Sequence, residues 1–131
     1  MANGFTFGRR VLFLTAAVVL FCCTLSHAAE PDFFVATNGN DQWSGKLPEP
    51  KADGSDGPLA SFARAQQAVR QLKEAQADRD RAIIVSIRGG TYWLPAPISF
   101  GAEDSGTEKA PVVYQAFGDE RPIFSGGRSI T

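Results

Sequence analysis

The spacing of hydrophobic positions in the first half of the chain predicts one strand, one loop and one helix. Residues 33–36 form a short apolar run, and the turn-forming residues 37–41 follow it directly, which is typical of a strand and a tight turn. Residues 42–58 are rich in Gly, Pro, Asp and Ser and predict a loop. Ser61 then stands where an N-cap is expected, before a helix that continues to about Ala77. The apolar stripe that would face the core contains Phe62, Ala65, Val69 and Leu72.

From Ala82 the hydrophobic period shortens to two residues, which is the period of a strand. In this strand Ile83, Val85 and Ile87 would share one face, opposite Ile84, Ser86 and Arg88. Further short strands are predicted at 91–93, 97–100, 112–117 and 123–125. Gly or Pro turns separate these strands and no helical pattern lies between them, which favours an all-β architecture over βαβ units. Gly-Gly pairs at 89–90 and 126–127 each follow an apolar strand end, a weak sign of a repeating solenoid.

Residues 1–28 have the three-part pattern of a secretory signal peptide. Arg9 and Arg10 precede an apolar run at 11–21, and small residues stand at both peptidase-reading positions of 26–28. The apolar run has about 11 residues, against the ~20 that a membrane-spanning helix needs. A retained anchor, a twin-arginine signal and a lipoprotein signal fit this pattern less well. We therefore expect a secreted or periplasmic protein with no membrane association after cleavage.

Removal of this segment narrows the chemistry that remains. Both cysteines and the histidine of the chain, Cys22, Cys23 and His27, lie within it. Without them, a Cys/His zinc site, a Ser-His-Asp triad and a disulfide are excluded for the mature chain. Loss of two of the 13 basic residues and none of the 14 acidic ones lowers the net charge from −1 to −3. A mildly acidic chain without a basic stripe predicts no nucleic-acid partner.

An ordered series of motifs runs through almost the whole mature chain. The motifs are FVATNGND at 34–41, WSG at 43–45, GPLAS at 57–61, IRGGTY at 87–92, DSGT at 104–107, APVVYQA at 110–116 and PIFSGG at 122–127. In this order they resemble the start of exported right-handed parallel β-helix proteins of the pectate-lyase-like superfamily. Each motif is weak by itself. The series is specific for the architecture and much less specific for the reaction.

This resemblance implies an all-β fold, the first coils of a right-handed parallel β-helix with an N-terminal capping α-helix. Residues 29–81 would supply the first strand, the loop and the capping helix, and 82–131 would supply coils that are incomplete at the C-terminus. A cap suits the open strand edges of a solenoid, which otherwise invite aggregation. Members of the family usually continue for many more coils and carry their active site there, so we expect a fragment or truncated product.

The resemblance therefore implies the N-terminal part of a secreted carbohydrate-active protein, a glycoside hydrolase or a polysaccharide lyase. The catalytic residues stay unknown, and no complete active site is expected in this chain. Two alternatives are a non-catalytic extracellular β-helix protein for adhesion or glycan binding, and an inactive truncated product. Fold alone does not choose among them. The sequence gives no oligomeric state and no substrate beyond a polysaccharide or glycan.

Carboxylates are the groups that glycoside hydrolysis would use. Stacked coils place equivalent side chains ~4.8 Å apart, and the reaction needs carboxyls ~5 Å apart for retention or ~6.5–9.5 Å for inversion. However, the acids of the second half lie in predicted turns and not on strand faces, which predicts solvated side chains. These turn acids are Glu103, Asp104, Asp119 and Glu120.

Two other groups of residues could bind ligands. Trp43, Tyr92 and Trp93 are candidate substrate-binding residues because aromatic rings can stack on sugars, although packing is their commoner role. Tyr92 and Trp93 should point in opposite directions if the chain is extended there. Oxygen ligands for calcium would come from Asn38, Asn40 and Asp41, or from Asp53 and Asp56. That spacing fits no calcium loop, so calcium is unsupported, turn stabilisation is the preferred interpretation, and no cofactor or metal is predicted.

Overall fold

The computed structural model of the protein describes residues 28–127, so the predicted signal peptide lies almost wholly outside the described residues. In chain order the elements are β1 (Phe33–Val35), α1 (Phe62–Ala75), β2 (Ile83–Ile87), β3 (Gly90–Trp93), a 3₁₀ turn (Ala102–Asp104), β4 (Val112–Ala116) and β5 (Pro122–Ser125). No helix in this part of the chain is both long enough and apolar enough to cross a bilayer.

The strands form two parallel sheets. One sheet has the order β1-β2-β4, and the other pairs β3 with β5. In the first sheet Val85 lies opposite Phe33 on one side and Tyr114 on the other, and in the second sheet Tyr92 lies opposite Phe124. Every strand pair among residues 28–127 is parallel. An antiparallel barrel or sandwich is therefore excluded for this part of the chain.

The fold class differs from the prediction. One helix with two parallel sheets is a mixed α/β arrangement, not the all-β class that strand spacing alone indicates. The parallel pairing and the single N-terminal helix agree with the predicted elements. Within residues 28–127 neither sheet closes on itself, so the β-helix stays a prediction.

The predicted strand at 97–100 is wrong. Residues 94–101 have no strand structure, and Phe100 is 59% exposed. Pro95 and Pro97 lie at the start of this segment, and a proline has no N–H to donate to a ladder of hydrogen bonds. The segment instead packs beside the helix, and the Gln66 amide of the helix donates to the Ser99 carbonyl at 3.0 Å.

The strand predicted after Ala82 is present, and both of its faces are buried. Ile84 and Ser86, which lie on the face opposite Ile83 and Val85, are buried like those two residues. The reason is that β2 is the central strand of a parallel sheet that is covered on both faces. Strands in that position read as continuous apolar runs, and IIVSI fits that description better than it fits alternation.

The helix begins where its cap predicts. The Ser61 hydroxyl accepts from the Arg64 N–H at 3.2 Å, and the Asp41 carboxylate accepts from both the Ser61 N–H and the Ser61 hydroxyl. The predicted stripe is confirmed for Phe62, Ala65 and Val69, which are buried in one core with β1, β2 and Tyr92, while Leu72 packs against its margin. The cap and the apolar stripe thereby hold the helix against a core that it shares with both sheets.

The outer edge of β1 is covered by the loop that precedes the helix. Leu59 bridges to Val35 in parallel, its N–H donates to the Phe34 carbonyl at 2.8 Å, and its carbonyl accepts from the Ala36 N–H at 2.9 Å. The Phe34 N–H donates to the Gly45 carbonyl at 2.7 Å. These bonds satisfy the backbone of a strand that would otherwise offer a free edge.

Candidate functional site

Two concave surfaces lie near the residues singled out in the sequence. The first, here called the helix groove, has a volume of about 580 Å³ and is lined by the start of the helix, the end of β3 and residues 94–98. The second, the Arg88 cleft, has a volume of about 570 Å³ and is lined by residues around Arg88, Glu49 and Glu120. Each volume lies within the ~300–1,000 Å³ of ordinary ligand pockets.

The Arg88 cleft brings two carboxylates to one guanidinium. Arg88 holds Glu120 with a fork of two bonds, Nε to Oε2 at 3.0 Å and Nη2 to Oε1 at 3.0 Å. The Gly89 N–H also donates to Glu120 Oε2 at 2.6 Å. On the other side, Arg88 Nη1 donates to the Pro48 carbonyl at 2.8 Å and lies 3.5 Å from Glu49. The cleft therefore superficially resembles a site with paired acids.

The protonation chemistry of Glu120 argues against its use as the acid of such a site. Glycoside hydrolysis needs a carboxyl whose pKa is raised, so that it can donate a proton near neutral pH. The side-chain bonds from Arg88 and the Gly89 N–H hold the pKa of Glu120 below its ordinary value. The other carboxyls in the described part whose pKa is displaced, Asp53, Asp56 and Asp104, are also lowered. Each of these groups is a stable anion, and none of them is suited to act as the general acid.

The four turn acids are predicted to be solvated, and this prediction is wrong for two of them, Asp104 and Glu120. Glu103 and Asp119 are exposed, in agreement with the prediction. Asp104 is buried, and its carboxylate accepts from Arg70 Nε at 2.7 Å, Arg70 Nη2 at 2.8 Å and the Gly101 N–H at 2.8 Å. Glu120 is the anion of the Arg88 fork. These turns present their acids to arginines on other elements, which is a structural role.

The Arg70–Asp104 pair predicts a dependence of stability on pH. The Arg70 side chain and the Gly101 N–H lower the pKa of Asp104 from 3.8 to about 2. Because the folded-state pKa lies below the unfolded one, this stabilisation is complete above pH 4 and is lost as the pH falls towards 2. We expect the melting temperature to drop across this window in circular dichroism. Asp104→Asn should melt lower at pH 7 and show a weaker drop, and identical slopes for both proteins would contradict the assignment.

The three aromatic candidates occupy different environments. Trp43 is half-buried, its Nε1 donates to the Gly54 carbonyl at 3.2 Å, and its ring packs so closely on Gly57 that a Cβ there would lie 2.7 Å from it. Tyr92 is 6% exposed, its ring stacks on Phe124 at 5.3 Å, and its hydroxyl donates to the Arg88 carbonyl at 2.7 Å. Trp93 is 57% exposed at the rim of the helix groove.

The predicted opposition of Tyr92 and Trp93 is therefore observed, with Tyr92 turned inward and Trp93 outward. Trp43 holds down the loop, and Tyr92 serves mainly as packing mass in the core. Stacking on a sugar stays a prediction for all three, and Trp93 is the one with a freely accessible ring. The structure brings Tyr92 and Trp93 to the same groove, while Trp43 does not line it.

Four of the five candidate calcium ligands are engaged in turns or at the helix start, whereas Asn38 is exposed at the Arg88 cleft. Asn40 Oδ1 accepts from the Gln42 N–H, Asp53 from the Ser55 N–H, and Asp56 from the Ser44 N–H and hydroxyl and from the Gly57 N–H. Asp41 binds the residues before the helix, as described above. In the part of the chain that the structure describes, no three His, Cys, Asp or Glu side chains are grouped to hold a metal ion.

Sequence reasoning missed Asp32. This carboxylate is buried, accepts from the Ile84 N–H at 3.0 Å, and pairs with both Arg79 and Arg81. Lys46 Nζ donates to the Asp32 carbonyl at 3.0 Å and lies 4.0 Å from the centre of the Phe33 ring. An acid directly before an apolar strand is the one local signal of this role. Asp32 ties β1 to β2 through its bond from the Ile84 N–H. Because Arg79 and Arg81 neutralise its charge, Asp32 offers no free anion for chemistry.

Comparison with known proteins gives one partial likeness. No family model matches the chain, and no curated protein matches it. A solved structure described as a glycoside hydrolase is similar, with a TM-score of 0.61 and 31% sequence identity over 73% of this chain. The chain spans 15% of the length of that structure. The described part thus partially resembles a carbohydrate-active enzyme, the glycoside hydrolase.

Proposed function

We propose that this chain is the N-terminal part of a secreted, carbohydrate-active β-helix protein of the glycoside hydrolase kind. The observation that carries the proposal is the order in which the chain visits its two parallel sheets. It passes from β2 to β3 and then returns to lay β4 on β2 and β5 on β3, in the same order and direction. A coil that repeats in this way is the unit from which a solenoid is built.

The two ends of the sheets support further coils on one side only. The edge of β1 is covered by Leu59, whereas β4 and β5 are the outer strands on the other side in the described part of the chain. Apolar side chains are exposed beside those strands, namely Val113, Ile123, Phe124 and Phe100. Free strand edges beside exposed apolar side chains are an aggregation hazard that a stacked coil would remove. The proposed continuation therefore lies next to β4 and β5.

Export is proposed from the sequence pattern of residues 1–28. Residues 28–30 are exposed and have no secondary structure, and Asp32 is the first buried residue of the described part. Cleavage after Ala28 would therefore leave in place the core contacts that the structure describes. This arrangement is consistent with a signal peptide that ends at Ala28 and with a secreted or periplasmic location.

A glycan is the proposed substrate class, and hydrolysis is favoured over lyase chemistry by the likeness to a glycoside hydrolase. The reacting carboxyls are proposed to lie on coils outside the described residues, because arginines bind the buried carboxylates Asp32 and Asp104 and the Glu120 carboxylate of the Arg88 cleft. The same observation favours a second candidate, a β-helix protein that binds glycans without catalysis. In both cases Trp43, Tyr92 and Trp93 stay candidate contacts.

The test is to read the coding sequence downstream of Thr131 and to express the continuous product beside residues 29–131 alone. We expect further strands with carboxyls at stacked positions, and release of reducing ends from a polysaccharide panel by the long product only. Turnover by the short product, or a stop codon after Thr131, would overturn the proposal. Binding without turnover by the long product would replace it with the non-catalytic candidate.

A further inference from the structure

We propose that the helix groove is a subsite for neutral sugar rings, with Trp93 as its stacking platform. This inference rests on the proposed function, and it adds a location and a charge class to the glycan. The groove has a volume of about 580 Å³ and lies between the helix, the end of β3 and residues 94–98. A concave groove of this volume suits a few sugar units better than a flat surface would.

The stacking surface follows from strand geometry. Successive side chains of β3 point to opposite faces, so the burial of Tyr92 turns Trp93 outward. The indole is 57% exposed at the rim of a groove whose walls include Phe62 and Ile98. Flat aromatic rings with one polar edge suit the C–H faces and hydroxyl rims of sugars, since they offer both apolar area and a hydrogen-bond donor.

The charge of the groove selects the class of sugar. Of the described residues that line it, Asp41 is the one with a charge. Asp41 Oδ1 accepts from the Ala60 and Ser61 N–H groups at 2.9 and 2.8 Å, and its Oδ2 accepts from the Ser61 hydroxyl at 2.7 Å. Among the described lining residues there is no basic side chain to pair with a uronate. The remaining polar groups are hydroxyls and amides such as Thr37, Thr91 and Gln66, which match neutral sugar hydroxyls.

Hydrogen bonds hold both walls of the groove. Gln66, which is 8% exposed, donates to the Ser99 carbonyl at 3.0 Å and so holds the 94–99 segment against the helix. Asp41 and Ser61 fix the opposite wall at the start of the helix. A groove of fixed shape loses less entropy on binding than one that must be ordered first.

The experiment measures binding of three probes to the signal-processed chain by calorimetry. The probes are cellohexaose, xylohexaose and a hexasaccharide of galacturonic acid. We expect saturable binding of at least one neutral probe, and weaker or no binding of the acidic one. Trp93→Ala should raise the dissociation constant at least tenfold. Trp93→Phe keeps an aromatic ring and should retain most of the wild-type affinity. Ile123→Ala is the matched control, because Ile123 is 57% exposed but lies outside the groove lining, and its dissociation constants should stay within twofold.

A second readout locates the ligand. The chain has two tryptophans, so Trp43→Phe leaves Trp93 as the reporter, and its fluorescence should change on binding. Binding that Trp93→Ala leaves intact, preferential binding of the galacturonate probe, or no binding of any probe would overturn the subsite. None of these outcomes affects the proposed function, which is decided by the downstream sequence and the turnover of the long product.

Discussion

Replacing Asp32 by Ala is expected to remove about 3–5 kcal/mol from the free energy of unfolding, which is the usual cost of breaking one partner out of a buried ion pair. The Asp32 and Arg79 side chains are 4% and 6% exposed, so the arginine would be left buried without its anion. The Ile84 N–H would also lose its acceptor at the start of β2. A small domain has only ~5–15 kcal/mol in total, so the variant should be largely unfolded at modest urea concentrations.

The measurement is urea unfolding followed by circular dichroism. Asp119→Ala is the matched control, because Asp119 is an exposed acid in a turn, and it should change stability by no more than ~0.5 kcal/mol. Asp32→Asn separates the hydrogen bond from the charge pair. The amide oxygen of Asn can still accept from the Ile84 N–H, but the neutral side chain leaves the Arg79 charge uncompensated. A loss below 1 kcal/mol for Asp32→Ala would show that the pair does not hold β1 to β2.

Gly39→Ala is expected to be the second severe change. A Cβ at this position would lie 2.2 Å from the Leu59 carbonyl oxygen and 2.7 Å from that of Pro58. These are backbone atoms, and the Leu59 backbone is fixed by its bonds to Phe34 and Ala36, so the clash cannot be relieved by a rotamer change. The loss should reach the upper end of the ~1–3 kcal/mol seen for overpacked sites.

The same unfolding assay applies to this variant. Gly126→Ala is the control, because a Cβ there meets no atom of the described residues within 4 Å. It should be neutral or slightly stabilising, since alanine restricts the unfolded chain more than glycine does. Equal stability of the Gly39→Ala and Gly126→Ala proteins would contradict the close approach of residues 39 and 59 and, with it, the covered edge of β1.

Elements with a clear period were predictable from the sequence. The stripe of Phe62, Ala65 and Val69 and the cap at Ser61 locate the helix to within two residues of its observed end. The strand at Ile83–Ile87 was equally clear, but its burial on both faces was not, because burial depends on β1 and β4 as neighbours. At 97–100 an apolar pair suggested a strand where the prolines prevent one.

The candidate sites were less predictable because their partners are distant in sequence. Asp104 meets Arg70 across 34 residues, Glu120 meets Arg88 across 32, and Asp32 meets Arg79 across 47. From their position in turns, Asp104 and Glu120 are predicted to be solvated. Only the folded chain brings Arg70 and Arg88 next to them. The helix groove likewise draws its walls from the helix and from residues 91–98, so the sequence predicts Trp93 as a ligand contact without the cavity beside it.

The parallel stacking of successive strand pairs is the claim on which the proposed function depends. Nuclear Overhauser contacts in the isotopically labelled chain test it most directly, at the pairs Val85–Tyr114 and Tyr92–Phe124. Parallel pairing predicts cross-strand amide and Hα-to-amide contacts in this register for both pairs. Strong Hα-to-Hα contacts across either pair, the sign of antiparallel strands, would contradict both the coil and the β-helix inferred from it.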